Sequence, residues 1–135
     1  MIVADTSALA AVVFGEAGRD TFVGLMRRAR RVLISTPSVV ETRIVVHGRR
    51  GQRAVLLLDD LLRLPLFEMV PPGEAEGRAA YAAFVTFGKG SGHPAGLNFG
   101  DLVAYALAKV RDLPLLFKGN DFFQTDIVPA WRPEK

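Results

Sequence analysis

Val32–Glu41 reads VLISTPSVVE, and this stretch decides the fold. Val32, Leu33 and Ile34 form a short apolar run that predicts a buried strand, closing at Ser35 and Thr36. Pro37 suits the first turn of a helix, because its fixed φ is already helical and its missing N–H is not needed there; Thr36 is the expected cap. The helix SVVETRIVVH should stop near Gly48. A buried strand that turns straight into a helix is the repeating unit of a parallel sheet covered by helices.

The same alternation continues in both directions. Upstream, Ile2–Ala4 is a short apolar strand ending at Asp5, and TSALAAVVF is a helix up to Gly15. A second helix follows Gly18, with Phe22, Leu25 and Met26 at helical spacing. Downstream, QRAVLLLDDLLRL is a helix ended by Pro65, LFEMV a strand, and EAEGRAAYAAFVTF a helix. Gly88–Gly96 is a glycine-rich loop carrying Lys89 and His93. DLVAYALAKVR is the next helix, PLLFKG (114–119) a buried strand, and TDIVPAW a last edge strand. The expected fold is α/β, with a central, mainly parallel sheet between helices, as a single domain over residues 1–135.

Composition narrows the chemistry. The chain has 135 residues, half of them hydrophobic and 23% charged, which suits one globular domain with a real core. It has no cysteine, so disulfides, thiolate zinc sites and cysteine nucleophiles are excluded. Its two histidines, His47 and His93, are far apart in sequence, so a metal site would use oxygen ligands. The start lacks a basic leader, and no apolar run reaches the roughly 18 residues of a membrane span, so the expected location is the cytoplasm, away from membranes. The net charge is only +3, but RRARR (27–31) and RRGQR (49–53) are compact basic patches. Each is either a solvated helix end or a surface that meets phosphates.

In open α/β sheets, ligands bind beyond the carboxyl ends of the strands. Four acids fall there: Asp5 after the first strand, Glu41 in the first turns of the helix after the second, Asp101 at the start of the helix after the loop, and Asp121 after PLLFKG. Singly, each has an ordinary explanation as a cap, a turn residue or a solvated charge. Together they would repel, by about 4 kcal/mol for a pair about 4 Å apart at an effective dielectric of about 20. A hard divalent cation, Mg²⁺ or Mn²⁺, removes that conflict. Around them, Ser7 can hydrogen-bond Asp5 or cap the helix. Asn98 can cap its helix and steady Asp101 three residues on, while Gly100 between them lets the backbone come close. Lys118 at a strand end and Asp126 near the tail are further candidates, for phosphate contact and for the acid cluster respectively. Tyr105 reads as core.

Two other readings, one an enzyme and one a signalling domain, share an α/β fold with strand-end acids. A phosphatase with an aspartyl nucleophile usually has another acid two residues on, where this chain has Ser7. A receiver-like signalling domain would use a strand-end lysine such as Lys118, but it needs an acid pair after the first strand and a phosphoacceptor at the third. A binding module holding a basic partner on its acids is a further reading, and the apolar VLLLDDLLRL supplies either core or a partner contact.

The sequence resembles the PIN-domain ribonucleases and, within them, the VapC toxins of bacterial toxin–antitoxin pairs. The resemblance rests on MIVADTSAL, STPSVVET, FGKGSGHPAGLNFGD and PLLFKGNDFFQTDI, in the family's order across nearly the whole chain. It implies a three-layer α/β/α sandwich, an acid pocket made by Asp5, Glu41, Asp101 and Asp121, and Mg²⁺-dependent hydrolysis of RNA, with tRNA or rRNA as the substrate class. Asn120 stands at the first of two acidic positions in the family's last motif, leaving Asp121 as the acid there. Lys89, Arg49, Arg50 and Lys118 are the candidate RNA contacts. The resemblance also implies a cognate antitoxin and a homodimer.

Overall fold

The computed structural model describes residues 1–133. Four strands, β1 (Ile2–Ala4), β2 (Val32–Ser35), β3 (Phe67–Val70) and β4 (Leu115–Leu116), form one sheet in the order β3-β2-β1-β4. All neighbouring pairs are parallel. Among the described residues there are six α-helices: α1 (Thr6–Phe14), α2 (Arg19–Ala29), α3 (Thr36–Arg50), α4 (Gln52–Leu62), α5 (Glu74–Phe87) and α6 (Phe99–Arg111). A short 3₁₀ turn spans Asp121–Gln124.

β1, β2 and β4 are nearly all apolar because both of their faces are covered, whereas the edge strand β3 leaves Met69 exposed; inward side chains alternate between two cores. Ile2, Ala4, Val32, Ile34 and Leu116 face a core shared with α1, α2, α3 and α4, filled by Leu9, Phe22, Val46 and Leu58. Val3, Leu33, Val70 and Leu115 face the other, under α5 and α6, with Leu102, Tyr105 and Leu107. The result is the expected three-layer α/β/α sandwich. Of the apolar residues in α4, Val55, Leu58 and Leu62 enter the core, while Leu56 and Leu57 stay exposed. None of the described helices is long and apolar enough to cross a membrane.

Local differences from the sequence expectation have physical causes. The capping position of α3 falls on Ser35, and Thr36 is already helical. The helix runs through Gly48 and stops at Gly51, where φ reaches 80°. β4 keeps only Leu115 and Leu116 of the expected six-residue strand, because the Lys118 amide is drawn to the Ser7 hydroxyl and the chain then turns at Gly119, φ 104°. The tail makes one parallel bridge rather than a strand: the Leu115 amide donates to Val128 O and the Ala130 amide to Leu115 O, while Pro129 has no N–H with which to extend the ladder.

Candidate active site

Parallel strands put the carboxyl ends of β1, β2 and β4 on one edge, and the helices that follow β1 and β2 begin there. Asp5 is the N-cap of α1. Its amide donates to Leu116 O, tying it to β4. Its Oδ2 accepts from the Ser7 amide at 3.0 Å and the Ser7 hydroxyl at 2.6 Å. Ser7 Oγ in turn accepts from the Lys118 amide at 2.9 Å, so one hydroxyl joins the ends of β1 and β4. Asp5 Oδ1 is buried and has no partner, and the residue is only 4% exposed. Burial pushes its carboxyl up to about 6 against the bonds from Ser7, and the charges of Asp101 and Glu41 add to the rise.

Asp101 stands at the third position of α6, in a reciprocal cap with Asn98. The Asp101 amide donates to Asn98 Oδ1 at 2.9 Å, and the Asn98 amide donates to Asp101 Oδ2 at 3.0 Å. Burial raises this carboxyl as well, the Asn98 amide lowers it, and the charges of Asp121 and Glu41 raise it. Glu41 reaches the same place from α3: a Cβ built on Gly100 would lie 2.1 Å from Glu41 Oε2. Asp121, exposed at the start of the 3₁₀ turn, completes the group through its repulsion of Asp101. Asp5, Glu41 and Asp101 thus share one field, with Asp121 at its rim.

These acids do not form a closed cage. Among the described residues, no three His, Asp or Glu side chains are gathered tightly enough to hold an ion by themselves. Asp5 and Asp101 each commit one carboxylate oxygen to hydrogen bonds at their own helix start.

The other candidates lie elsewhere. Arg49 and Arg50 stack on the Phe14 ring, 4.0 and 5.2 Å from its centre, at the last turns of α3 and α1. That is about a helix length, roughly 12 Å, from the acids at 1.5 Å per residue. Arg27–Arg31 leads into the amino end of β2, the opposite edge, where Arg31 pairs with Glu68. Lys118 is the exception, with its amide at the pocket on Ser7 and its Nζ turned to Glu16, 3.6 Å away. Lys89 is exposed at the base of a loop closed by the Gly88–Leu97 bridge. His93 Nδ1 accepts from the Ala95 amide, and its ring meets Phe87 edge-on, so it braces that loop. Asp126 does not extend the acid cluster. It accepts from the Tyr105 hydroxyl and from Lys109 Nζ at 2.8 Å, farther along α6.

Sequence reasoning missed a buried hydroxyl network behind Asp5. Thr6 Oγ1 and Thr42 Oγ1 both donate to Ser38 O, at 3.2 and 2.7 Å, and stand 3.1 Å apart. The hydroxyls of Thr6 in MIVADTSAL and Thr42 in STPSVVET were its only signal, and two threonines so far apart in sequence do not read as partners.

A family model described as PIN domain matches residues 2–128. The chain is 40% identical over 129 residues to "Ribonuclease VapC28" of Mycobacterium tuberculosis, covering 96% of this chain and 97% of that protein. It is also 40% identical over 132 residues to "Ribonuclease VapC30" of the same species, covering 98% and 100%. Among solved structures, Mycobacterium tuberculosis VapC20, described as a sarcin–ricin loop cleaving toxin, superposes with a TM-score of 0.79 at 20% identity over 98% of this chain and 100% of that one. VapBC2 from Rickettsia felis, bound to a DNA fragment from its promoter, gives 0.74 at 13% identity over 96% of each chain. With the strand-end acids, the sheet order and these matches in agreement, the chain belongs to the PIN-domain family and, within it, to the VapC ribonucleases.

Proposed function

We propose that this chain is the toxin of a toxin–antitoxin pair and hydrolyses RNA phosphodiester bonds with a divalent cation held by Asp5 and Asp101, Glu41 and Asp121 completing the site. The observation that carries the reading is the unpartnered, buried Oδ1 of Asp5, in a pocket where burial first, and the charges of Asp101 and Glu41 after it, raise its pKa. Such an oxygen is costly unless a cation or water meets it. An all-carboxylate donor set fits Mg²⁺, with Mn²⁺ as a substitute, and the open arrangement fits an ion that keeps several waters.

A cation bound there supplies Lewis-acid stabilisation of the charge that develops on the scissile phosphate. The chain's residues do the rest. Ser7 fixes Asp5 by its two hydrogen bonds, and Asn98 fixes Asp101 by the reciprocal cap. Glu41 and Asp121 orient the attacking water and accept its proton. Attack by water rather than by the ribose 2′-hydroxyl leaves a 5′-phosphate and a 3′-hydroxyl. Lys118, whose amide meets Ser7 beside Asp5, and Lys89, on the loop before α6, would meet the RNA backbone near the acids. Arg49 and Arg50 would serve a longer RNA path, and base-specific recognition falls on a single-stranded or looped target, tRNA or rRNA in class.

The solved structures of this fold include a toxin–antitoxin complex from Klebsiella pneumoniae, which supports a cognate antitoxin as partner. Exposed apolar side chains, Phe99, Tyr81, Ile44 and Leu57, offer surface to that partner or to a second copy of the chain. Sequencing RNA 5′ ends after brief expression of the wild type and of Asp5→Asn tests the function. A discrete set of cuts that vanishes in the variant supports it, and cuts that persist in the variant contradict it.

A further inference from the structure

Among the described residues, three buried side-chain oxygens have no hydrogen-bond partner: Asp5 Oδ1, Ser35 Oγ and Ser38 Oγ. Buried polar atoms are almost always paired, so each orphan calls for a water, an ion or another cause. Ser35 is the informative one. It is the N-cap of α3, where a serine ordinarily accepts a bond from an amide one turn in. That bond is not made. Pro37, in the same turn, has no N–H to give. The hydroxyl is therefore available to something else, yet only 1% of the residue is exposed.

The sheet shows which side it faces. β1 and β2 run parallel, with Ile2 opposite Val32 and Val3 opposite Leu33, so two residues further on Asp5 stands beside Ser35. Both are still extended, at φ −83°, ψ 160° and φ −63°, ψ 136°. Val3 and Leu33 point into the core beneath α6, and Ala4 and Ile34 into the opposite core. Alternation returns Asp5 and Ser35 to the α6 side, where Asp101 stands. Neighbouring strands lie about 4.8 Å apart. No hydrogen bond joins the two orphan oxygens directly, and neither has another partner.

We propose that Ser35 is a positioning residue of the acid pocket: its hydroxyl and Asp5 Oδ1 share one ordered water, which holds the free oxygen of Asp5 towards the cation position. The inference rests on the cation-binding reading of the pocket and adds to it a residue on β2, the strand that otherwise contributes only through α3. Groups that orient metal ligands from behind commonly affect affinity 10–100-fold.

The test is calorimetric titration with Mn²⁺ of the wild type, Ser35→Ala, Ser35→Thr and Ser38→Ala, with the melting temperature of each measured without metal. Ser38→Ala removes a buried hydroxyl from the same turn and controls for burial alone. The expected result is Mn²⁺ binding about tenfold weaker in Ser35→Ala, largely restored in Ser35→Thr and unchanged in Ser38→Ala, with melting temperatures close to that of the wild type. Wild-type affinity in Ser35→Ala overturns the inference, as does equal weakening in Ser38→Ala or a collapse in the melting temperature of Ser35→Ala. Absence of Mn²⁺ binding by the wild type overturns the cation-binding reading itself, and the role of Ser35 with it.

Discussion

Gly100 and Glu41 touch where a side chain would not fit: a Cβ on Gly100 would stand 2.1 Å from Glu41 Oε2 and 2.6 Å from the carboxyl carbon. The first turn of α6 can therefore lie directly against the carboxylate from α3. Gly100→Ala should leave the fold intact, because the displaced atoms are the end of a flexible side chain. It should drive Glu41 out of the pocket and lower ribonuclease activity at least about tenfold, the loss expected when a group next to the reacting atoms is misplaced. Activity assays paired with thermal melts check this; wild-type turnover in a folded Gly100→Ala protein would show that the Glu41 position is immaterial.

Asp5 sets the stability of the cation-free protein against its function. Its carboxyl is pushed up to about 6 from an ordinary 3.8, so the folded state holds a proton that the unfolded chain has released. The stability that this protonated carboxyl contributes without cation is fully present below about pH 4 and is lost as pH rises through about 6, on the order of 3 kcal/mol in all. The raised Asp101 carboxyl acts in the same direction. Asp5→Asn should then melt several degrees higher than the wild type at pH 7.5 in EDTA and lose the dependence between pH 4 and 6, while its activity disappears. Thermal melts across that range decide the matter, and a variant less stable than the wild type at pH 7.5 would contradict it.

Asp126 provides the opposite case. Lys109 and the Tyr105 hydroxyl lower its carboxyl against the effect of burial, while the same pairing and burial hold the Tyr105 phenol far above its usual range. The stability this carboxylate contributes is present above about pH 4 and is lost as pH falls through its lowered value. Asp126→Asn should cost about 1 kcal/mol at neutral pH, given half-exposed partners. It should leave ribonuclease activity unchanged, because the triad lies farther along α6 than the acid edge. Reduced turnover in a folded Asp126→Asn protein would return it to the acid cluster.

Much of this was legible in the sequence because burial and chain reversal leave strong local signals. Val32–Ile34 reads as a strand because both of its faces are covered, and Gly15 ends α1 where φ must be positive. Asp5, Asn98 and Asp101 were visible as helix starts, and they are helix starts as well as pocket residues, since α1 and α6 begin at the acid edge. The shortness of β4 was not legible. It depends on a hydrogen bond between the Lys118 amide and Ser7, 111 residues away, which no local pattern encodes. The pairing of Asp126 with Lys109 and Tyr105 was hidden for the same reason. Arg49 and Arg50 looked like a phosphate patch because sequence shows charge without direction, whereas in the fold they stack on Phe14 at the far end of α3.

The central claim is that the pocket of Asp5, Glu41, Asp101 and Asp121 cuts RNA with a divalent cation. Its most direct test is cleavage of a looped RNA by the purified chain, free of antitoxin, in Mg²⁺ and in EDTA, beside Asp101→Asn. The account predicts cleavage in Mg²⁺ that yields 5′-phosphate ends, stops in EDTA, returns with Mn²⁺ and is absent from the folded variant. Full cleavage in EDTA, or by Asp101→Asn, would contradict it.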